Sequence, residues 1–270
     1  MNKSKFALSF CVFSALTSLG QIAFGQPLLD FESYETFLYS EMSSIPTNDA
    51  AKFEDASHCF LETPTTTEGS VISNNGWAVT SEVIIANYTF VSFNGRIDTG
   101  TSGTCWKAEG NIAVFRNSDL QGVIYTNDPT NTSIGRLSRH EGGIVRLHTG
   151  EPTDFPILDV RYDNEQFTMS EVSEFTTYCQ GRYLVPSVYG MDINEARHEL
   201  IQIGWKPIFE SEDIGFIAEL MRKDGITEVS GCSGTGMGYC GYQYAQDGAI
   251  LRVSSIDPAR VNGLWVDCRN

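Results

Sequence analysis

Beyond its first 25 residues this chain has no apolar run long enough to cross a bilayer as a helix. Charge, Gly or Asn breaks every run within about a dozen residues, and a span needs roughly 20. Basic residues are scarce: 18 Lys and Arg stand against 34 Asp and Glu, a formal net charge of −16. That balance argues against nucleic acid and anionic lipid as partners, because both bind positive surfaces. Histidine is rarer still. His58, His140, His148 and His198 are the only four, and none lies at a local metal-binding spacing such as His-Glu-x-x-His. Asp-x-Asp-x-Asp-Gly loops for calcium are missing, and so is any fixed-length repeat of the solenoid or propeller kind. No metal and no cofactor are expected.

The first 25 residues carry the pattern of an export signal. Lys3 and Lys5 give a positive start, Phe6 to Leu19 is apolar and uncharged, and Ala23-Phe24-Gly25 supplies small residues where a signal peptidase reads. Cleavage is expected before Gln26, leaving a periplasmic or secreted protein with no transmembrane span. Cys11 lies inside the apolar stretch with no cleavage site directly before it, so a lipid anchor is not expected. Losing two lysines leaves 16 basic residues against 34 acidic ones, a net charge of −18.

Six cysteines remain: Cys59, Cys105, Cys179, Cys232, Cys240 and Cys268. No two are closer than eight residues, which is not zinc spacing. An even number in an oxidising compartment reads as three disulfides, although six cysteines allow about 15 pairings. Order along the chain favours Cys59 with Cys105, Cys232 with Cys240, and Cys179 with Cys268.

The pattern of elements predicts an α+β protein of two domains. Residues 26–180 read as a β-rich antiparallel sandwich or barrel with an N-terminal helix. Leu28, Phe31, Tyr34, Phe37 and Leu38 supply that helix's three-to-four spacing, and 48–60 reads as a second short helix. Thr63 to Ser70 is a loop by composition. Short strands then recur every ten residues or so from Trp77 to Met169, with a hairpin expected at Asn94-Gly95. Residues 181–270 read as two helices, one capped by Asp192 and one over 214–223, followed by an antiparallel sheet.

Val185-Pro186-Ser187-Val188-Tyr189-Gly190-Met191, with Ala196, Leu200 and Gly204-Trp205, resembles the opening of a PASTA domain. Those domains begin with a Val-Pro-x-x-x-Gly strand and a helix carrying an Ala and a Leu. They occur in exported parts of bacterial proteins, where some bind cell-wall muropeptides or β-lactams. The match covers residues 185–205; a second helix and a Cys-Ser-Gly-Thr-Gly turn then depart from the pattern. The whole tail, with Glu195-Ala196-Arg197, Gly204-Trp205-Lys206-Pro207 and Cys232 to Cys240, is also similar to a domain of uncharacterised exported bacterial proteins.

Catalytic signatures are missing. Ser233 sits in Gly-Cys-Ser-Gly-Thr, where a nucleophile elbow needs Gly in place of Thr235 and a helix after it. Gly236, Gly238 and Gly241 satisfy Gly-x-Gly-x-x-Gly but precede a strand, so no dinucleotide site follows. His140 and His148 fall on neighbouring strands and could meet across a hairpin, without a third metal ligand. Among the tryptophans, Trp205 and Trp265 read as core, and Trp106 beside Cys105 is the best ligand contact. The function expected from all this is a non-catalytic binding protein of the periplasm or cell envelope, its ligand cell-wall material or an envelope protein. The alternative is a secreted inhibitor or immunity-type protein against a cationic enzyme such as lysozyme.

Overall fold

Apolar residues alternating with polar ones organise most of the chain into antiparallel strands, and two-sided burial organises the rest. The computed structural model describes residues 34, 36–49, 53, 56–127, 133–164, 166–209, 214–234, 236–257 and 259–269. The segment 1–25 expected to be an export signal, with Leu28 and Phe31 of the expected helix, lies outside them.

The first sheet has the order β1 (Phe37–Glu41), β5 (Asp119–Thr126), β4 (Cys105–Arg116), β3 (Tyr88–Thr99) and β2 (Ala78–Ile85). The second runs β6 (Ile134–His140), β7 (Ile144–Thr149), β8 (Pro156–Asp163) and β9 (Gln166–Ser170). Phe90, Ile112, Val114 and Ile124 of the first pack against Leu137, Leu147, Leu158 and Phe167 of the second, which makes a sandwich. Helix α1 (Thr67–Asn74) and the loop at Ile45 cover the outer face of the first sheet over Val79, Val91 and Phe93. That sheet is covered on both sides, so the first eight residues of β3, polar Thr89, Ser92 and Asn94 among them, are all buried rather than alternating in and out.

A two-stranded ribbon, β10 (Phe175–Tyr178) with β11 (Tyr183–Pro186), leads to the remaining elements. These are α2 (Ile193–Gln202), β12 (Lys206–Pro207), α3 (Phe216–Lys223), β13 (Val229–Cys232), β14 (Cys240–Gln246), β15 (Ala249–Ile256) and β16 (Arg260–Asp267). Here β14 pairs with β12, β13 and β15, and β15 with β16. Ile193, Ala196 and Leu200 of α2 and Ala218 of α3 close a separate core over Tyr242, Leu251 and Val261. Asp192 caps α2 by accepting from the Asn194 amide at 2.9 Å. The fold is α+β, its sheets antiparallel and open. Three disulfides join Cys59 to Cys105, Cys179 to Cys268 and Cys232 to Cys240. No helix among the described residues is long and apolar enough to cross a membrane.

Four local expectations are corrected. Phe37 and Leu38 belong to a strand, not a helix: β1 pairs with the edge of β5, with Phe37 opposite Thr126. The described part of 48–60 contains only one 3₁₀ turn at Ser57–Cys59. The Thr-rich segment at 63–70 is a loop only as far as Thr66, which caps the helix that starts at Thr67. Thr66 accepts from the Gly69 amide at 2.9 Å, and Glu82 of β2 takes the amides of Thr65 and Thr66 at 2.7 and 3.0 Å. Caps and loops draw on the same residues, which hid this helix.

Asn94-Gly95 is the fourth. The hairpin turns instead at Ala86-Asn87, and β3 runs straight through Asn94. The Asn94 side chain is fully buried and donates to the carbonyls of Ile134 at 2.8 Å and Ala108 at 3.3 Å. Gly110 permits that approach, since a Cβ there would lie 1.7 Å from the Ile134 carbonyl oxygen. Asn94 therefore ties the first sheet to the start of the second.

Candidate functional site

Strand alternation gives the second sheet two different faces. Leu137, Val145, Leu147, Leu158 and Val160 point into the sandwich core. The intervening residues Arg136, Ser138 and His140 on β6, Arg146 and His148 on β7, and Asp159 on β8 share the other face. That face is polar and partly covered: Arg146, His148 and Asp159 are buried, and Arg136, Ser138 and His140 are half-buried. Residues 171–191 and the loop end of β16 lie over it. Tyr239 donates to the Pro152 carbonyl at 3.2 Å, the Arg260 guanidinium lies 5.7 Å above the Phe155 ring, and Tyr178 meets His140 edge-on.

At the centre of this layer Arg146 forms two hydrogen bonds to Asp159, at 2.7 and 3.0 Å. Ser173 adds its amide at 2.9 Å. Burial opposes ionisation of Asp159, but Arg146 and Ser173 outweigh it and hold the carboxyl below its ordinary range. Burial likewise opposes the charge on Arg146, and Asp159 restores it.

Beside this pair, Ser138 Oγ lies 2.8 Å from His148 Nε2 and 3.0 Å from His140 Nε2. The proton positions follow from the partners. His148 Nδ1 is 3.1 Å from the Asp154 carbonyl oxygen, which can only accept, so Nδ1 carries the hydrogen. Burial, reinforced by Arg136, pushes the His148 pKa down to about 3, which leaves Nε2 bare as an acceptor. The Ser138 hydroxyl donates to it. That uses the only hydroxyl proton, so His140 donates to Ser138 from its own Nε2. Burial and Arg146 push His140 down to about 4, and it too is neutral.

Serine with a histidine at 2.8 Å is the spacing of a nucleophile and its base. The surroundings oppose that use. Proton transfer would form an imidazolium in a buried position that Arg136 already disfavours. Asp154, which would have to stabilise it, accepts from Arg136 Nε at its Oδ2, and its Oδ1 stands 4.0 Å from His148 Nδ1. The serine is held rather than activated.

These side chains border a cleft of about 340 Å³. Arg136, Ser138, His140, His148 and Asp154, from β6, β7 and the loop after it, line one side, Ser254 and Asn262 to Trp265 of β15 and β16 line the other, and Tyr189 also borders it. Ser254 Oγ donates to Asn262 Oδ1 at 2.9 Å, and Asn262 Nδ2 donates to the Thr153 carbonyl at 3.4 Å. The Asn262–Thr153 bond thus joins the β16 side of the cleft to the β7–β8 loop that carries Asp154.

The residues singled out from sequence are scattered. Trp106 is 52% exposed on β4, next to the Cys59–Cys105 bond and apart from the cleft lining. Trp77 packs edge-on to Phe93, and Trp205 is core as expected. Trp265 is not core, because it faces outward from β16 on the cleft rim and is 46% exposed. Ser233, Gly236 and Gly238 occupy the β13–β14 connection and Gly241 lies in β14 opposite Gly231, the two strands being closed by Cys232–Cys240. His58 lies near Cys59 and Cys105, whose sulfurs are bonded to each other and so are not thiolate ligands. His140 and His148 do meet, through Ser138. No local sequence pattern marks Asp154, Tyr189 or Asn262 as members of this cleft, and Arg136 and Ser138 join it only through the strand face they share. The one available signal was Arg-x-Ser-x-His, polar residues at alternate positions of a strand around the apolar Leu137.

No protein family, no curated protein and no solved structure matches this chain.

Proposed function

We propose that this chain is an exported, disulfide-bonded binding protein of the periplasm or cell envelope that performs no covalent chemistry, with cell-wall material or an envelope protein as its ligand. The observation that carries the reading is the cleft beside Ser138, whose polar groups are neutral or paired and whose serine lacks an activated base. Three disulfides fit an oxidising compartment. The resemblance of residues 185–205 to a PASTA domain supports a cell-wall ligand.

Co-sedimentation of the protein with purified peptidoglycan sacculi at two salt concentrations, with capture from envelope extracts in parallel, tests this. Retention by either one that survives high salt is expected, and retention by neither overturns the reading. A fluorophosphonate probe tests the non-catalytic part: Ser138 is expected to remain unlabelled, and labelling abolished by Ser138→Ala would make the protein a hydrolase.

The charge of −16 supports a second reading, an inhibitor of a cationic enzyme such as lysozyme. It requires tight binding that weakens as salt rises, because steering between unlike charges is screened. Salt-independent association with lysozyme, or none, removes it.

A further inference from the structure

We propose, resting on the binding-protein reading above, that the cleft between β6–β7 and β16 holds one ring of a neutral, hydroxyl-rich sugar against the Trp265 indole. A sugar ring offers a face of C–H bonds and a rim of hydroxyls that both donate and accept. The cleft supplies both counterparts.

The apolar counterpart is Trp265. Its 46% exposure leaves an aromatic face in water at the rim of a concave site, and covering it is favourable. Gly263 keeps the strand surface beside the ring low. A Cβ there would stand 2.4 Å from Ser254 Oγ and 3.7 Å from a carbon of the Trp265 ring, so no other residue fits without displacing the wall.

The polar counterpart is the facing wall. Asp154 takes the Nε hydrogen of Arg136, and the guanidinium's Nη hydrogens remain as further donors of the fork. Ser138 has a second oxygen lone pair beyond the one that His140 uses. These groups are positioned before a ligand arrives, by the Ser138–His148 and Asn262–Thr153 bonds, which lowers the ordering cost of binding.

Charge decides the class. Arg136 is the one permanent cation among the lining residues, and Asp154 matches it. A carboxylate or ammonium ligand would leave its own hydration for a site with no uncompensated opposite charge. A neutral ring loses only hydroxyl hydration, which the wall replaces. At about 340 Å³ the cleft lies at the small end of ligand sites, suited to one ring of a longer glycan.

Titration of the whole protein with chitotriose, cellotriose and trigalacturonic acid, read by calorimetry and tryptophan fluorescence, tests the assignment. Saturable binding of a neutral trisaccharide is expected, with Trp265→Ala at least tenfold weaker at an unchanged melting temperature and Trp265→Phe recovering most of the affinity. Preference for chitotriose points to an N-acetylated wall glycan, and preference for cellotriose to another polysaccharide. Failure of both neutral sugars to bind, tighter binding of the galacturonate, or full affinity in Trp265→Ala overturns the proposal. Sacculi separate the two failures. If Trp265→Ala still sediments with them like the natural chain, the binding-protein reading stands and the Trp265 site falls; if the natural chain does not sediment and captures no envelope protein, both fall.

Discussion

Arg146 and Asp159 stand directly opposite each other on β7 and β8, joined by two hydrogen bonds while their side chains are 1% and 0% exposed. Cross-strand register brings them together, and the segment through Ser173 seals them from water. The pair fixes the polar layer from which the Ser138 site is built.

Asp159→Ala is expected to destabilise the protein by about 3–5 kcal/mol, because it leaves the guanidinium buried without its counter-charge. Arg146→Met with Asp159→Leu should recover a large part of that loss. Urea unfolding of the three proteins measures this, and equal stability of the single and double variants would contradict it.

Acid should weaken the fold before the ordinary carboxylates titrate. His140 and His148 have folded pKa values of about 4 and about 3, below the ordinary 6.5. Below pH 6.5 the unfolded chain therefore binds protons that the folded chain refuses. Stability is complete above that pH and falls toward pH 4, by up to about 1.4 kcal/mol per pH unit for each histidine. Asp154, whose carboxyl burial raises, contributes with the opposite sign just above its ordinary 3.8. Melting temperatures from pH 7 to 4 follow the effect, and His148→Asn should flatten the slope.

Gly110→Ala should cost about 3 kcal/mol or more, since its Cβ would meet a carbonyl oxygen that belongs to the backbone. Asn94→Ala leaves the Ile134 carbonyl without its donor and should cost less, about 1–3 kcal/mol. Thermal unfolding ranks the two; the reverse order would show that the sheets do not meet at Asn94 as described.

Loss of the disulfides should follow loop length. Cys179 and Cys268 are 89 residues apart and Cys232 and Cys240 only 8. Replacing each pair by alanines should cost about 4.6 and about 2.5 kcal/mol respectively, by the loop entropy released to the unfolded chain. Denaturant midpoints of the two double variants test that order.

Much of the architecture was legible along the chain. Turn residues every ten positions marked the strands, Asp192 and Gly204 bounded α2, and an even set of six cysteines signalled disulfides. Local patterns misled where one residue type serves two ends. Thr66 looked like loop and is a cap, Asn94 looked like a turn and is a buried donor, and Trp265 looked like core and lines a cleft.

The sequence by itself determined the strand-rich α+β class, the acidic surface and the possibility of three disulfides, because composition and period-two alternation are local properties. Only the tertiary structure decided the site. Ser138, Asp154 and Trp265 are far apart in the chain and border one cleft because a second sheet face was covered by the C-terminal sheet. Which polar face becomes an interior layer depends on how twisted sheets stack, and no single strand encodes that.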